Sequence, residues 1–204
     1  VSESDMLRLQ KWAADGKLAK VTKVTVGATI DMSGVATWQP IAGFPAIEFD
    51  GGSDKGYEIK GLTSALFDTV TGATIKNVKL TEVNINEDAK AFFGSLVCHA
   101  VSSTISNCEA SGVLVYDNQV TSGHTASKFG VGGLIGKLEA SSLSGSTNAV
   151  DVTIKNYAPV KAASSTYVGV GGLVGSSYGV TINSEDVYST ISNSYNYGNL
   201  TSSQ

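Results

Sequence analysis

The chain of 204 residues contains a single arginine, Arg8, along with three prolines, two cysteines and two histidines. Only 16% of the residues are charged and the net charge is −4, so a basic footprint for phosphate backbones is missing and nucleic acid is excluded as an expected partner. Two cysteines, Cys98 and Cys108, are too few for a disulfide framework and lack the CxxC spacing of a metal site; a single bridge between them across one bend stays open. No apolar run approaches the length of a membrane span, and no charged n-region followed by an apolar h-region opens the chain. Membrane insertion by this segment is therefore not expected. The start at Val1 rather than Met predicts a trimmed segment whose export signal, if it had one, has been removed.

What is abundant is glycine, 23 residues, with many Ser, Thr, Asn and Val, in a chain that is 42% hydrophobic. Gly and Asn supply positive φ at turns while β-branched residues suit a pleated surface, so the composition predicts a mostly β protein of many short strands.

Two heptapeptides nearly coincide: GVGGLIG at Gly130–Gly136 and GVGGLVG at Gly169–Gly175. Neither gives GxGxxG in register, and no lysine follows in the Walker arrangement, so they are not read as phosphate loops. Used as a ruler, they reveal weaker copies. Leu66, Leu96, Leu134 and Leu173 are separated by 30, 38 and 39 residues, and an aliphatic residue follows nine positions later at Ile75, Ile105, Leu143 and Ile182. A second text recurs as ATIKNV, STISNC, SSLSGS and STISNS, placing Val78, Cys108, Ser146 and Ser194 in one column and Asn77, Asn107 and Asn193 in another, with Gly145 as the exception. Period-two alternation follows each copy. Each repeat then carries two or three strands, and the variable spacing fits a parallel β-solenoid better than propeller blades, which pair antiparallel strands.

The first residues read differently. Ser2 or Ser4 can cap a helix, Met6, Leu7, Leu9, Trp12 and Ala13 share a face, and Gly16 is a stop. The expected organisation is a capping helix over residues 1–20 and a parallel β-helix over 21–204. The text breaks off at SNSYNYGNLTSSQ, partway through a repeat, which predicts that the natural chain continues.

The ordered combination of ATIDMSG (Ala28–Gly34), WQPIAG (Trp38–Gly43), EFDGGSDKGYEIKGL (Glu48–Leu62) and the two Gly-Leu-hydrophobic-Gly motifs resembles the GLUG-motif repeat family of surface proteins of gut Bacteroidales. The resemblance implies a right-handed parallel β-helix, an extracellular or cell-surface location associated with the outer membrane, and an adhesin-like, non-enzymatic role.

Candidate ligand groups are few. Six of eight tyrosines follow Gly130, and Tyr combines a flat apolar face with a hydroxyl, which suits sugar rings or a protein partner. The segments Tyr116–Lys128 and Lys155–Tyr167 superpose at the repeat offset and each leads into a GVGG run, so they are expected to emerge on one side. From them Tyr116, Asp117, His124, Tyr157 and Tyr167 are the expected ligand-binding residues, for a glycan or an extracellular host protein. Asp50 and Asp54 in DGGSDKG occupy calcium-loop positions one and five but lack the twelfth-position glutamate, so they form only a weak metal candidate; no cofactor is expected. The runner-up reading is a carbohydrate-active enzyme, with Asp117 and Asp151 or Glu185 and Asp186 as carboxylate pairs by type alone. A third is a structural stalk.

Overall fold

A computed structural model describes residues 2–88, 91–117, 128–155, 167–182 and 184–203. The protein is mostly β with one α-helix, Glu3–Ala14, and its strands pair almost entirely in parallel.

The helix starts where Ser2, in extended conformation, gives its N–H to the Asp5 carboxylate at 2.9 Å. Met6, Leu9 and Ala13 are buried, whereas Leu7 and Trp12 are exposed, so the apolar face is narrower than the sequence suggested. Arg8 pairs with Asp5 and lies over the Trp12 ring, 6.0 Å from its centroid.

Four parallel sheets follow. The first contains Lys23–Thr25, Glu48–Asp50, Thr74–Lys76, Thr104–Ser106, Ser142–Ser144 and Thr190–Ser192. The second contains Ile30–Asp31, Ile59–Lys60, Lys79–Glu87, Glu109–Asp117 and Thr147–Lys155, the last of which pairs with both Tyr195–Asn196 and Leu200–Ser202. The third runs through Phe67–Thr71, Val97–Val101, Ile135–Glu139 and Val174–Tyr178, and the fourth through Phe92–Phe93, Lys128–Gly132 and Tyr167–Gly171. The chain visits third, first, second and fourth sheets in that cyclic order, so a full repeat holds four strands and not two or three.

Register aligns the predicted columns. Phe49, Ile75, Ile105, Leu143 and Ile191 follow one another in the first sheet, and the amides of Leu66, Leu96 and Leu134 bond to carbonyls of the next unit near Leu96, Leu134 and Leu173. All but the final member of each column are buried completely, which places a continuous aliphatic ladder inside. The fourth unit departs from the sequence reading. Ile182 lies in an antiparallel hairpin, Val180–Ile182 with Glu185–Val187, and Ile191 takes the column position instead.

Two kinds of corner hold the sheets together. Between first and second sheets, Asn77, Asn107, Gly145 and Asn193 all have φ between 47° and 58°. Left-handed backbone is cheapest for Gly and, among other residues, for Asn, which accounts for the column better than a side-chain ladder does. At both corners that flank the first sheet, serine hydroxyls replace missing backbone partners. Ser103 N–H donates to Ser141 Oγ at 2.9 Å and Ser141 N–H to Ser189 Oγ at 3.2 Å; on the other side Cys108 N–H donates to Ser146 Oγ at 3.1 Å and Ser146 N–H to Ser194 Oγ at 3.2 Å. Cys108 fills a serine position, its thiol 3.2 Å from the Ser106 carbonyl, and burial pushes that thiol up to about 12. Both cysteines are buried and neither is in a disulfide, so the bridge between them does not form.

The GVGG glycines answer to contact. A Cβ on Gly133 would fall on the Gly172 carbonyl and the Asn148 side-chain amide, and one on Gly172 would fall on the Asn196 amide. Asn148 is fully buried; its amide reaches the Val150 carbonyl at 3.1 Å and Asn196 Oδ1 at 2.8 Å. Glycine at the corner between the fourth and third sheets thus makes room for asparagine in the second.

Candidate functional site

A polar cluster lies on the third sheet, where the outward positions of adjacent strands align Thr69, His99, Lys137 and Ser176, and next to them Thr71, Val101, Glu139 and Tyr178. Alternation along each strand, with Ala100 and Leu138 pointing into the core, turns His99, Lys137 and Glu139 outward. His99 Nε2 lies 3.0 Å from Glu139 Oε2, Lys137 pairs with the same carboxylate, and the Lys137 ammonium sits 5.1 Å from the Phe92 ring centroid and 5.2 Å from that of Tyr178. The Phe92 and His99 rings are 5.5 Å apart. Asp68, Thr69, Ala91, Phe92, Cys98 and His99 enclose a cleft of about 230 Å³ beside the cluster.

Electrostatics follow from this packing. Burial lowers the His99 pKa more than Glu139 raises it, so the imidazole is neutral at neutral pH; the Lys137 bond, followed by the His99 bond, holds Glu139 below the usual carboxylate range. A carboxylate so paired stays ionised and is a poor general acid. Cys98, next in sequence to His99, is buried on the other side of the strand. The cluster can orient a hydrogen-bonding ligand, and it clamps three neighbouring strands.

The residues singled out from the sequence fall elsewhere. Tyr116 is buried, stacked on Phe129 at 5.9 Å, with its hydroxyl pushed up to about 12 by burial; it belongs to the core and presents no face to a ligand. Asp117 ends its strand in register with Lys155, and Lys128 re-enters in register with Tyr167, so the two superposed segments do leave and return at matched places. His124, Tyr157 and the Tyr167 side chain lie outside the described residues. Asp50 is occupied by Lys23 Nζ at 3.0 Å, by Asn77 Nδ2 at 3.1 Å and by the Gly52 amide at 3.2 Å, within an ionic ladder that includes Glu48 and Lys76; Asp54 sits on an exposed 3-10 turn. Asp151 accepts from the Asn199 amide and side chain, and its strand register sets it opposite Val113 and four positions from Lys155, the partner of Asp117. Asp186 is engaged by Thr181 and Tyr188 within the hairpin. The His99 cluster was missed because His99 and Glu139 are far apart in sequence and meet only through strand register.

The fold therefore defines a class of parallel-stranded, mostly β proteins with charge concentrated in outward ladders. Comparison with known proteins then gives particulars. Residues 26–112 match the family described as the M26 IgA1-specific metallo-endopeptidase N-terminal region. The chain is 35% identical over 127 residues, 62% of its length, to the immunoglobulin A1 protease of Streptococcus sanguinis, of which it spans 6%. A solved IgA1 protease structure is similar in fold, with a TM-score of 0.54 at 19% identity, over 91% of this chain and 16% of that one.

These likenesses overturn the resemblance to GLUG-motif adhesins of Bacteroidales, and with it the readings as a non-enzymatic adhesin, a carbohydrate-active enzyme or a stalk. The physical reason is visible at Gly133 and Gly172: Gly-Leu-hydrophobic-Gly records a crowded corner between parallel sheets, a steric demand and not a family mark. A metal, as the family description implies, finds no fit in the residues described. No three His, Cys, Asp or Glu side chains among them are grouped for one, and the Lys137 ammonium already sits on the carboxylate nearest His99. The histidines stand in HAVSS and HTASK, not in the HExxH spacing of zinc peptidases.

Proposed function

We propose that this chain is part of the N-terminal region of an IgA1-directed metallo-endopeptidase, acting outside the cell or at its surface, and that it engages the immunoglobulin while peptide-bond hydrolysis is carried out elsewhere in the longer polypeptide. The observation that carries this reading is the match of residues 26–112 to the family's N-terminal region. It is supported by the identity to the streptococcal protease and by the lack of fit between the described side chains and a metal. An immunoglobulin substrate is itself extracellular, which supports the location; among the described residues no helix is long and apolar enough to cross a membrane.

On this reading the architecture is a right-handed parallel β-helix over residues 21–204 with the segment 1–20 as its cap. The cyclic visiting order of the four sheets supports the first part, and the burial of Met6, Leu9 and Ala13 supports the second. A repetitive scaffold of this kind offers a long surface to a protein partner. The side on which the segments after Asp117 and Lys155 emerge is the face assigned to the immunoglobulin, with Tyr157 and Tyr167 as its aromatic contacts.

The test is binding of the 204-residue chain to immobilised IgA1, with IgG as the comparison surface. Selective binding that weakens by about tenfold in Tyr157→Ala or Tyr167→Ala is expected for contact residues of this kind. Equal binding to both immunoglobulins would overturn the reading, and selective binding untouched by either substitution would move the contact face elsewhere on the scaffold.

A further inference from the structure

The fourth sheet is shorter than its neighbours. Its strands lie in the order Phe92–Phe93, Lys128–Gly132, Tyr167–Gly171, whereas the third sheet beside it continues one strand further, to Phe67–Thr71. The reason lies in the connections: Glu87 reaches Val97 by way of Phe92–Phe93, but Lys60 reaches Phe67 with no strand between them. Phe92–Phe93 is therefore a sheet edge in the middle of the chain, created by a short connection in the unit before it.

Register decides which backbone groups that edge presents. Gly130 N–H donates to the Ala91 carbonyl at 2.8 Å, with Gly130 opposite Phe92 and Val131 opposite Phe93. In a parallel ladder this pattern commits Ala91 and Phe93 to the Lys128–Gly132 strand and turns the N–H and C=O of Phe92 the other way. Among the described residues neither of those two groups has a partner. Beside them is the cleft of about 230 Å³ formed with Asp68, Thr69, Cys98 and His99. Its polar groups are rich in acceptors. Asp68 is half-buried and has no ion pair among the described residues. His99, neutral and bonded through Nε2 to the ionised Glu139, donates there and keeps its other ring nitrogen as an acceptor.

We propose that this cleft receives an extended peptide segment of a partner protein, which pairs with the Phe92 edge as an added strand and lays a lysine or arginine side chain against Asp68. Strand addition draws affinity from main-chain hydrogen bonds and specificity from a side-chain pocket beside the edge. Here the edge offers one donor and one acceptor, and the pocket is the size of a single long side chain. Charge settles the class of that side chain. A carboxylate with no cation of its own, set among further acceptors, favours a basic group, whose aliphatic stem can lie along the half-buried Phe92 ring. Lys137 does not compete, since it is bonded to Glu139. A second copy of this chain is the weaker occupant, because a two-fold contact between like edges brings two Asp68 carboxylates to the same place. Neither Tyr157 nor Tyr167 is called on, so a failure to bind immunoglobulin through them would leave this site standing.

The experiment titrates a peptide with blocked ends, Thr-Val-Arg-Val-Thr, into the isotope-labelled 204-residue chain and follows the assigned amides by NMR. Saturable shifts centred on Phe92 and His99 are expected; their absence at millimolar peptide would overturn the proposal. Asp68→Asn is expected to weaken binding by at least about tenfold, and glutamate in place of the peptide arginine should abolish it. Unchanged affinity in either case removes Asp68 as the recognition group. Two further peptides carry N-methyl groups on alternate amides, each blocking one edge of the extended backbone. Only one edge can face Phe92 while the arginine points to Asp68, so one of these peptides should bind and the other should not. Equal binding by both would rule out strand addition. Sedimentation of the chain alone is expected to give a monomer, and a dimer dispersed by the arginine peptide would hand the edge to a second copy and overturn the stated occupant.

Discussion

At the scale of single residues, glycine and asparagine act as matched halves. Gly172 leaves space for the Asn196 amide, and the three nearest atoms to a Cβ there all belong to that side chain. Gly172→Ala is expected to cost about 2 kcal/mol through overpacking, and adding Asn196→Ala should recover most of that loss, a coupling measurable by urea unfolding of the double-mutant cycle. Gly133→Ala should resist rescue by Asn148→Ala, because the Gly172 carbonyl also blocks its Cβ. His99 sets a pH dependence of definite sign. Its folded pKa lies below the ordinary value of 6.5, so the unfolded chain takes up the proton first. Stability from this group is complete above that value and is lost as pH falls below it. Glu139, also lowered, adds a second loss in the acid range below 4.5. In His99→Gln the decline of the urea midpoint just below pH 6.5 should flatten, while the loss at lower pH persists.

At the scale of elements, the hairpin Val180–Val187 is an insertion into a corner whose shorter form occurs three times upstream, first as Thr71, Gly72 and Ala73. Val101 and Glu139 each lead through one left-handed residue, Ser102 or Ala140, to the corner serine, whereas Tyr178 reaches Ser189 only after the hairpin. Removing Gly179–Val187 and placing Asn at position 188 should rebuild the short corner. The melting temperature is expected to stay within about 5 °C of the parent, read by circular dichroism. The same hairpin shows where sequence reading stops. The ladder of Leu66, Leu96, Leu134 and Leu173 was legible because inward side chains of stacked strands repeat their chemistry, and so was the column of Val78, Cys108, Ser146 and Ser194. Ile182 satisfied the same spacing by coincidence, since an aliphatic residue in a hairpin strand looks like one in a rung. The His99, Lys137 and Glu139 cluster was illegible because register, which brings distant residues side by side, is not written at any one position.

At the scale of the whole molecule, the first and second sheets change character from their early to their late strands, while the third keeps the Lys137 and Glu139 pair late. Early rungs carry ionic ladders, Lys23 with Glu48 and Asp50, Lys76 with Glu48, and Lys79 with Glu58, while later corners rely on serine and asparagine. Exposed ladders of that kind contribute little individually, so the early end owes its order chiefly to the buried aromatics Phe44, Phe49 and Phe67, whose rings pack at 5.0–6.1 Å. The molecular class could be read from composition and repeats, but the family could not, because the glycines of the two motifs answer to local crowding at Gly133 and Gly172, and the same corner in earlier units carries Ala65 and Ser95. Register also bears on how the chain acquires its structure. Each strand of the first sheet finds its neighbours only one repeat away, from Val24 to Phe49, Ile75, Ile105, Leu143 and Ile191 in turn. A chain folding from its N-terminus can therefore add strands one at a time onto a template already formed, without waiting for its far end and without any disulfide to oxidise.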